Sequence, residues 1–214
     1  MCERIELKSS VRELSRHFGR LQISARDLPQ AGELSAATPL LIICGGSEGA
    51  RASNARWGLV GHFLDQSPRS PLLNLRSEGL ADTPFYGRLL RRKRCLVPAS
   101  AFYCWQHHDG RRVKTRISHA DGQLLLLAGI FDHHPHAGTT CTILTRATGH
   151  PEHGQRLPVL LPPAATSFWL AEHPEFPNEE FSDLLLRQAT PPLTLTTIPE
   201  PEPSPQLTFN FAFG

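Results

Sequence analysis

The chain has 214 residues, 40% hydrophobic and 20% charged, enough for one domain with a real core or one domain plus a tail. No apolar run approaches the roughly eighteen residues of a membrane span. The start, Met-Cys-Glu-Arg, lacks the apolar stretch of a secretory signal. Together these point to a cytoplasmic protein. The five cysteines (Cys2, Cys44, Cys95, Cys104, Cys141) show no C-x-x-C spacing, which argues against a disulfide framework and a zinc site. No cofactor or metal is expected, and His133, His134 and His136 read as a solvated loop. The net charge of +2 conceals an asymmetry: Arg88 to Arg116 holds nine Lys/Arg against one acid, Asp109. From Ala171 onward there are seven acids and one base, Arg187. A central basic field suits a polyanionic partner.

In chain order, Ser9 to Phe18 reads as a helix, with Ser9 or Ser10 as cap, Val11, Leu14 and Phe18 on one face, and Gly19 as the stop. Pro39 to Cys44 is a buried strand before a Gly45-Gly46 turn, and Arg56 to Val60 is another strand. Cys95 to Val97 and Ala101 to Trp105 are strands interrupted near Pro98. His107 to Gly110 turns the chain into Arg111 to Ile117, a basic hairpin. Gln123 to Phe131, Thr139 to Thr145 and Leu157 to Leu161 are further strands. Pro162 to Ala171 and Glu179 to Gln188 read as helices, and Thr190 to Thr197 as an edge strand. Many short strands with a few helices give an α+β domain with a strand-rich core. Residues 1–197 form this domain. Residues 198–214 are a Pro/Glu-rich spacer, extended and unable to build a core, ending in Gln206, Leu207, Phe209 and Phe211 at strand alternation.

The chemistry begins at Cys2. A small second residue permits aminopeptidase removal of Met1, leaving a cysteine with a free α-amine. That amine has a reference pKa of about 8 and the thiol one of about 8.5. An amine and a thiol on adjacent carbons take an aldehyde in two steps, first as a Schiff base and then as a five-membered thiazolidine.

Cys2 does not stand alone. Met1-Cys2-Glu3-Arg4 is followed by Arg56-Trp57-Gly58-Leu59, Asn74-Leu75-Arg76-Ser77-Glu78 and Arg94-Cys95-Leu96-Val97-Pro98-Ala99-Ser100-Ala101-Phe102-Tyr103-Cys104-Trp105. Then come Ala128-Gly129-Ile130-Phe131, Thr142-Ile143-Leu144-Thr145 and Arg156-Leu157-Pro158-Val159. In that order, the segments resemble the SRAP family of abasic-site-processing proteins. The family pattern is M-C-G-R, R-W-G-L, N-A-R-x-E, R-C-L-V-P-A-x-G-F-Y-E-W, A-G-L-W, T-I-L-T and H-x-R-M-P-V. The resemblance covers roughly residues 1 to 197.

The resemblance implies a compact α+β fold with a positively charged groove for single-stranded or junction DNA. It also implies covalent capture of an abasic site on Cys2 as a thiazolidine, in a nucleoid-associated protein of the DNA damage response. It implies that Asn74 positions the sugar, that Arg76 contacts phosphate and that Arg4 lines the groove. Trp57 supports the binding face, and Arg88, Arg91 and Arg92 are compatible with phosphate contact.

Three positions depart from the pattern. The family glutamate of F-Y-E-W, an acid/base during sugar opening, is Cys104, and general acid–base help is typically worth about 10² to 10⁴ in rate. The family histidine is displaced: its place falls on Gly154, and His153 is one residue early, recoverable through a bulge. Glu3 replaces the glycine after Met-Cys and sets a carboxylate beside the reactive end. Capture with altered kinetics, non-covalent binding of single-stranded DNA, and a thiol peptidase acting on Met1 all remain open at this point. Capture requires a free Cys2 amine and non-covalent binding does not, while the peptidase reading predicts that Met1 persists in a Cys2→Ala chain made without aminopeptidase. The terminal Gln206-Leu207-Thr208-Phe209-Asn210-Phe211 resembles the peptides by which bacterial repair proteins dock on the replication sliding clamp; an ordinary terminal strand is the alternative.

Overall fold

A computed structural model describes residues 3–28, 32–66, 68–108, 111–148, 156–171 and 178–198. The first segments are β1 (Arg4–Glu6), α1 (Val11–Phe18), β2 (Leu21–Gln22), β3 (Glu33–Ser35), β4 (Pro39–Cys44), β5 (Ala50–Trp57) and β6 (Asn74–Arg76). Next come α2 (Pro84–Arg92), β7 (Arg94–Ala99), β8 (Ala101–His108), β9 (Arg111–His119), β10 (Leu125–His134) and β11 (Gly138–Ala147). The last are β12 (Arg156–Pro158), α3 (Thr166–Leu170), α4 (Asn178–Arg187) and β13 (Leu193–Ile198).

The strands make two sheets. One has five strands in the order β13-β9-β8-β1-β3. The other has eight, running β12-β11-β10-β7-β4-β5-β2 with β6 on β11. A short parallel pairing of β11 with β5 closes β5-β4-β7-β10-β11 into a ring. Alternation along β4 divides the core. Leu40 and Ile42 join Ile5, Phe102, Val97 and Ile117 in the cluster shared by the two sheets. Leu41 and Ile43 join Leu14, Leu89, Leu96, Trp169 and Leu185 under the helices. The expected strand-rich α+β architecture is what the chain adopts.

Local rules account for most boundaries. Ser10 and Glu13 cap α1 reciprocally: the Ser10 hydroxyl accepts from Glu13 N at 3.3 Å and the Glu13 carboxylate accepts from Ser10 N at 2.8 Å. The helix stops at Gly19, φ 61°. The expected strand at Arg56 to Val60 lies earlier, at β5. Ala50 to Arg56 carries no β-branched or aromatic residue, and its strand character comes from antiparallel pairing with the Leu-Leu-Ile-Ile run of β4. The chain leaves β5 at Gly58, φ 126°, where a Cβ would meet Pro71 Cβ at 2.4 Å, so the glycine after Trp57 is a backbone requirement.

Other expectations shift. The solvated histidine loop is in part strand, because β10 continues through His134, which is 1% exposed. Its Nε2 lies 2.7 Å from Leu64 O, while its Nδ1 accepts from His136 N and Ala137 N at 3.1 and 3.0 Å. The strand expected at Leu157 to Leu161 is β12 plus an isolated bridge between Leu160 and Leu127. Helix α2 lies where the sequence pattern marks no helix, because its arginines mask the apolar face of Leu89 and Leu90. Gly87 is there for close packing, since a Cβ would lie 2.4 Å from Ala81 O.

Arg94 belongs to the basic run of the sequence, but it is buried. Its Nε donates to Trp169 O at 2.6 Å, and Nη1 donates to Leu90 O and Arg91 O at 2.6 and 2.5 Å. Nη2 donates to Ala171 O. One guanidinium thus caps the C-terminal carbonyls of α2 and α3, and Trp169 Nε1 donates back to Cys95 O at 2.8 Å. The edge strand expected near Thr190 to Thr197 is β13, which runs through Ile198 at the rim of the five-stranded sheet. Among the described residues, no helix is long and apolar enough to cross a membrane.

Candidate functional site

The five-stranded sheet presents two chemically distinct faces. Its inner face carries one apolar row across all five strands: Leu34, Ile5, Phe102, Ile117 and Leu195, each opposite the next. One step toward the start of β1 the row changes character. Cys104 stands opposite Thr115, and Thr115 opposite Thr197. Extending the β1–β8 register by one residue brings Glu3 beside Cys104. Cys104 and Thr115 are 6% and 2% exposed, whereas Glu3 is exposed. Burial pushes the Cys104 thiol above its ordinary pKa, so at physiological pH it is a neutral SH. All four described cysteines are free buried thiols. Burial drives the thiol of Cys44 to about 12.

The outer face of the same sheet is ionic. Glu6, 3% exposed, accepts from Tyr103 Oη at 2.7 Å and from Arg116 Nη2 at 3.2 Å, with Lys8 Nζ at 2.8 Å. Burial alone would raise its pKa, but these donors bring it down to about 2. Beside it Glu33 binds Arg4 Nη1 at 3.0 Å and Lys114 Nζ at 2.8 Å, and Lys114 Nζ lies 4.6 Å over the Tyr103 ring. Arg4 is therefore placed on an exposed ion-paired rim immediately after the first two residues.

The opposite wall of the shared core holds Asn74. It pairs with Ile143 in parallel register and so shares that residue's inward face. Arg76, two residues on, shares the face but is exposed. Glu78 accepts from Arg156 Nη2 at 2.5 Å and from Ala147 N at 3.0 Å. That contact ties Asn-Leu-Arg-Ser-Glu to Arg-Leu-Pro, two segments far apart in sequence. Arg156 also donates to Thr145 O at 2.7 Å. Trp57 is fully buried, its Nε1 donating to Leu73 O at 2.9 Å, and it packs inside the core shared by the two sheets.

Cys2 and His153 lie outside the described residues; the structure brings Cys104, Thr115 and Asn74 to one core, with Arg76 at its edge. It does not bring the arginines of α2 there. Arg88, Arg91 and Arg92 ride on the helix side of the larger sheet, where Leu89 and Leu90 pack. Arg88 Nη2 is 3.1 and 3.2 Å from the two ring nitrogens of His62, which places it over the ring face. His62 Nδ1 is 2.8 Å from Asp132 Oδ2. Burial works to raise the Asp132 pKa, but bonds from His62 and His133 lower it overall. Phe63, 61% exposed, stacks edge-on against Phe85 at 4.9 Å between centroids. Sequence reading missed His62, Phe63, Phe85 and Thr115; an isolated Gly-His-Phe-Leu loop carries no periodicity that would reveal them. A surface cavity of about 420 Å³, bordered by His17, Arg20, Gly46, Ser47 and Thr166, contains none of these groups.

The SOS response associated peptidase (SRAP) family model matches residues 1–200. The chain belongs to the SRAP family. Among curated SRAP relatives, "Abasic site processing protein YoaM" of Bacillus subtilis (strain 168) is 27% identical over 179 residues, covering 79% of each chain. "Abasic site processing protein YoqW" of the same organism is 26% identical over 196 residues, 87% of each. The fold is also that of a solved protein from Bacteroides thetaiotaomicron, with TM-score 0.76, 19% identity and 92% of both chains covered. A solved protein from Bordetella bronchiseptica gives 0.74 at 20% identity, covering 93% of this chain and all of that one. The SRAP core thus persists where the side chain at position 104 is a thiol.

Proposed function

We propose that this protein processes abasic sites in DNA by capturing the opened sugar on Cys2. The observations that support the reading are Cys104 beside the start of β1, two residues after Cys2, and Asn74 and Arg76 on the facing sheet, in a chain of the SRAP family whose curated relatives are named abasic site processing proteins. With Met1 removed, the α-amine attacks the sugar aldehyde at C1 and one water leaves as the imine forms. The thiol then adds across the C=N bond, its proton passing to nitrogen, and the thiazolidine closes. The net reaction is loss of one water, and no oxidant or metal takes part. Asn74 orients the sugar and Arg76 holds a flanking phosphate. Arg4 lines the groove, while Glu3 and His153 are the groups available to move protons in place of Cys104.

The surface around Phe63, Phe85 and Arg88 supports single-stranded DNA as the form bound. An exposed ring stacks on a base without sequence preference and a guanidinium beside it meets phosphate; Arg91 and Arg92 extend that charge along α2. The loop carrying Phe63 leads directly into Asn74 and Arg76.

The test is denaturing electrophoresis of the mature protein with a single-stranded oligonucleotide carrying one abasic site, with Cys2→Ala alongside. A heat-stable slow band for wild type alone is expected. The absence of a band, with Met1 shown to be removed and binding intact in a native gel, would leave a non-covalent binder, the reading that a neutral Cys104 favours. Gln206, Leu207, Phe209 and Phe211, outside the described residues, are proposed to dock on the replication sliding clamp. A Phe209→Ala, Phe211→Ala variant retained on immobilised clamp as strongly as wild type would contradict that.

A further inference from the structure

Among the described residues, the buried side-chain oxygens without a hydrogen-bond partner include Thr115 Oγ1 and Thr142 Oγ1. Native structures leave few such atoms, and each asks for an explanation. The two threonines lie in different places. Thr142 stands opposite Ile130 on β10, on the helix side with Leu144. Thr115 stands opposite Cys104 on β8, in the row that follows the apolar band and coincides with the start of β1. Directly opposed residues of an antiparallel pair share a face. The Thr115 hydroxyl and the Cys104 thiol therefore turn toward the same core between the sheets, which Asn74 borders from the facing sheet.

The charge distribution limits what that space accepts. The ion pairs of the five-stranded sheet named above project from the outer face, where Glu6 meets Arg116 and Lys8, and Glu33 meets Arg4 and Lys114, and on the inner face Glu3 and Arg111 lie at the strand ends, on either side of Cys104 and Thr115. The inner row offers a neutral thiol and a neutral hydroxyl. A phosphate would find no counter-charge there, whereas a neutral hydroxyl or carbonyl oxygen finds a donor with nothing else to bond. Valine would have the same shape without the hydroxyl, and a site selected only for packing would have no use for the oxygen.

We propose that Thr115 is a ligand-contacting residue whose Oγ–H hydrogen-bonds a neutral oxygen of an opened pentose held between Cys104 and Asn74. The proposal rests on the abasic-site reading above and adds a residue outside every motif that carried it. Thr115 senses the sugar and not the phosphate backbone, and distinguishes a lesion from an intact nucleotide by the oxygen that an opened sugar exposes.

The experiment uses a borohydride-reduced abasic oligonucleotide. It keeps the opened sugar's hydroxyls but has no aldehyde, so it cannot bond to Cys2. Binding to it and to an undamaged oligonucleotide of the same sequence is measured for wild type, Thr115→Val and Thr115→Ser. Wild type is expected to prefer the reduced lesion. Thr115→Val should lose roughly five- to tenfold in affinity for the lesion, as one net hydrogen bond is worth, with undamaged DNA bound as before. Thr115→Ser should restore the preference. Should the valine variant fail to fold, Thr115→Ala takes its place with the same readout. A valine or alanine variant that keeps the wild-type preference overturns the proposal, as does equal loss on both oligonucleotides or a wild type with no preference. The unreduced oligonucleotide, run in parallel on a denaturing gel, reports separately on covalent capture.

Discussion

The two faces of the five-stranded sheet solve opposite problems with adjacent residues. On the outer face the charges are satisfied by one another: Glu6 has three side-chain partners and Glu33 has two. On the inner face the buried pair of Cys104 and Thr115 is neutral, and Thr115 Oγ1 has no partner. A saturated network holds β1 against β8 and β3. An unsaturated row is what the proposed ligand would complete. Strand alternation alone separates scaffold from site here, one residue apart.

The strongest way to break that comparison is to put charge at the buried position 104. Cys104→Glu should raise the single-turnover rate of abasic-site capture at pH 7 on the order of 10²-fold, because a carboxyl there supplies acid–base help that a neutral thiol does not. An unchanged rate, in a variant that still folds, would mean that position 104 moves no proton.

The outer face is probed by acid. Glu6 has its folded pKa lowered from 4.5 to about 2. Its contribution is therefore fully present above about pH 4.5 and is lost as pH falls through about 2. The loss should be roughly 2 kcal/mol once the partial exposure of Arg116 is allowed for. Denaturant melts from pH 6 to 2 should show this step in wild type and not in Glu6→Gln. A step that persists in the glutamine variant would assign it to another carboxylate, such as Asp132.

The smallest effect sharpens the division between phosphate and sugar. Arg76→Ala should weaken binding to undamaged single-stranded DNA a few-fold and lower the slope of log affinity against log salt by about 0.7. Thr115→Val should leave that slope unchanged. A change of slope in the threonine variant would place phosphate where the inner row offers no counter-charge.

Much of the fold was legible in the sequence. Ser10, Glu13 and Gly19 mark α1, and the Leu-Leu-Ile-Ile run marks β4, because capping and alternation are local. The order of motifs along the chain points to the family without reference to the fold. What was not legible depends on contacts made at a distance. β5 is a strand because β4 pairs with it, α2 is a helix because Gly87 fits against Ala81, and Arg94 is a structural clamp although it sits in a run of basic residues. His134 reads as solvent-facing until β10 carries it under Leu64. Thr115 belongs to no motif, and its significance appears only when Cys104 stands opposite and its oxygen is found without a partner.

The most direct test of the account is mass spectrometry of the mature protein after incubation with an abasic oligonucleotide, followed by nuclease trimming and peptide mapping. The account predicts a sugar-phosphate adduct, less one water, on the peptide beginning at Cys2. An adduct on a lysine such as Lys8 or Lys114, or none when binding is intact, would contradict it.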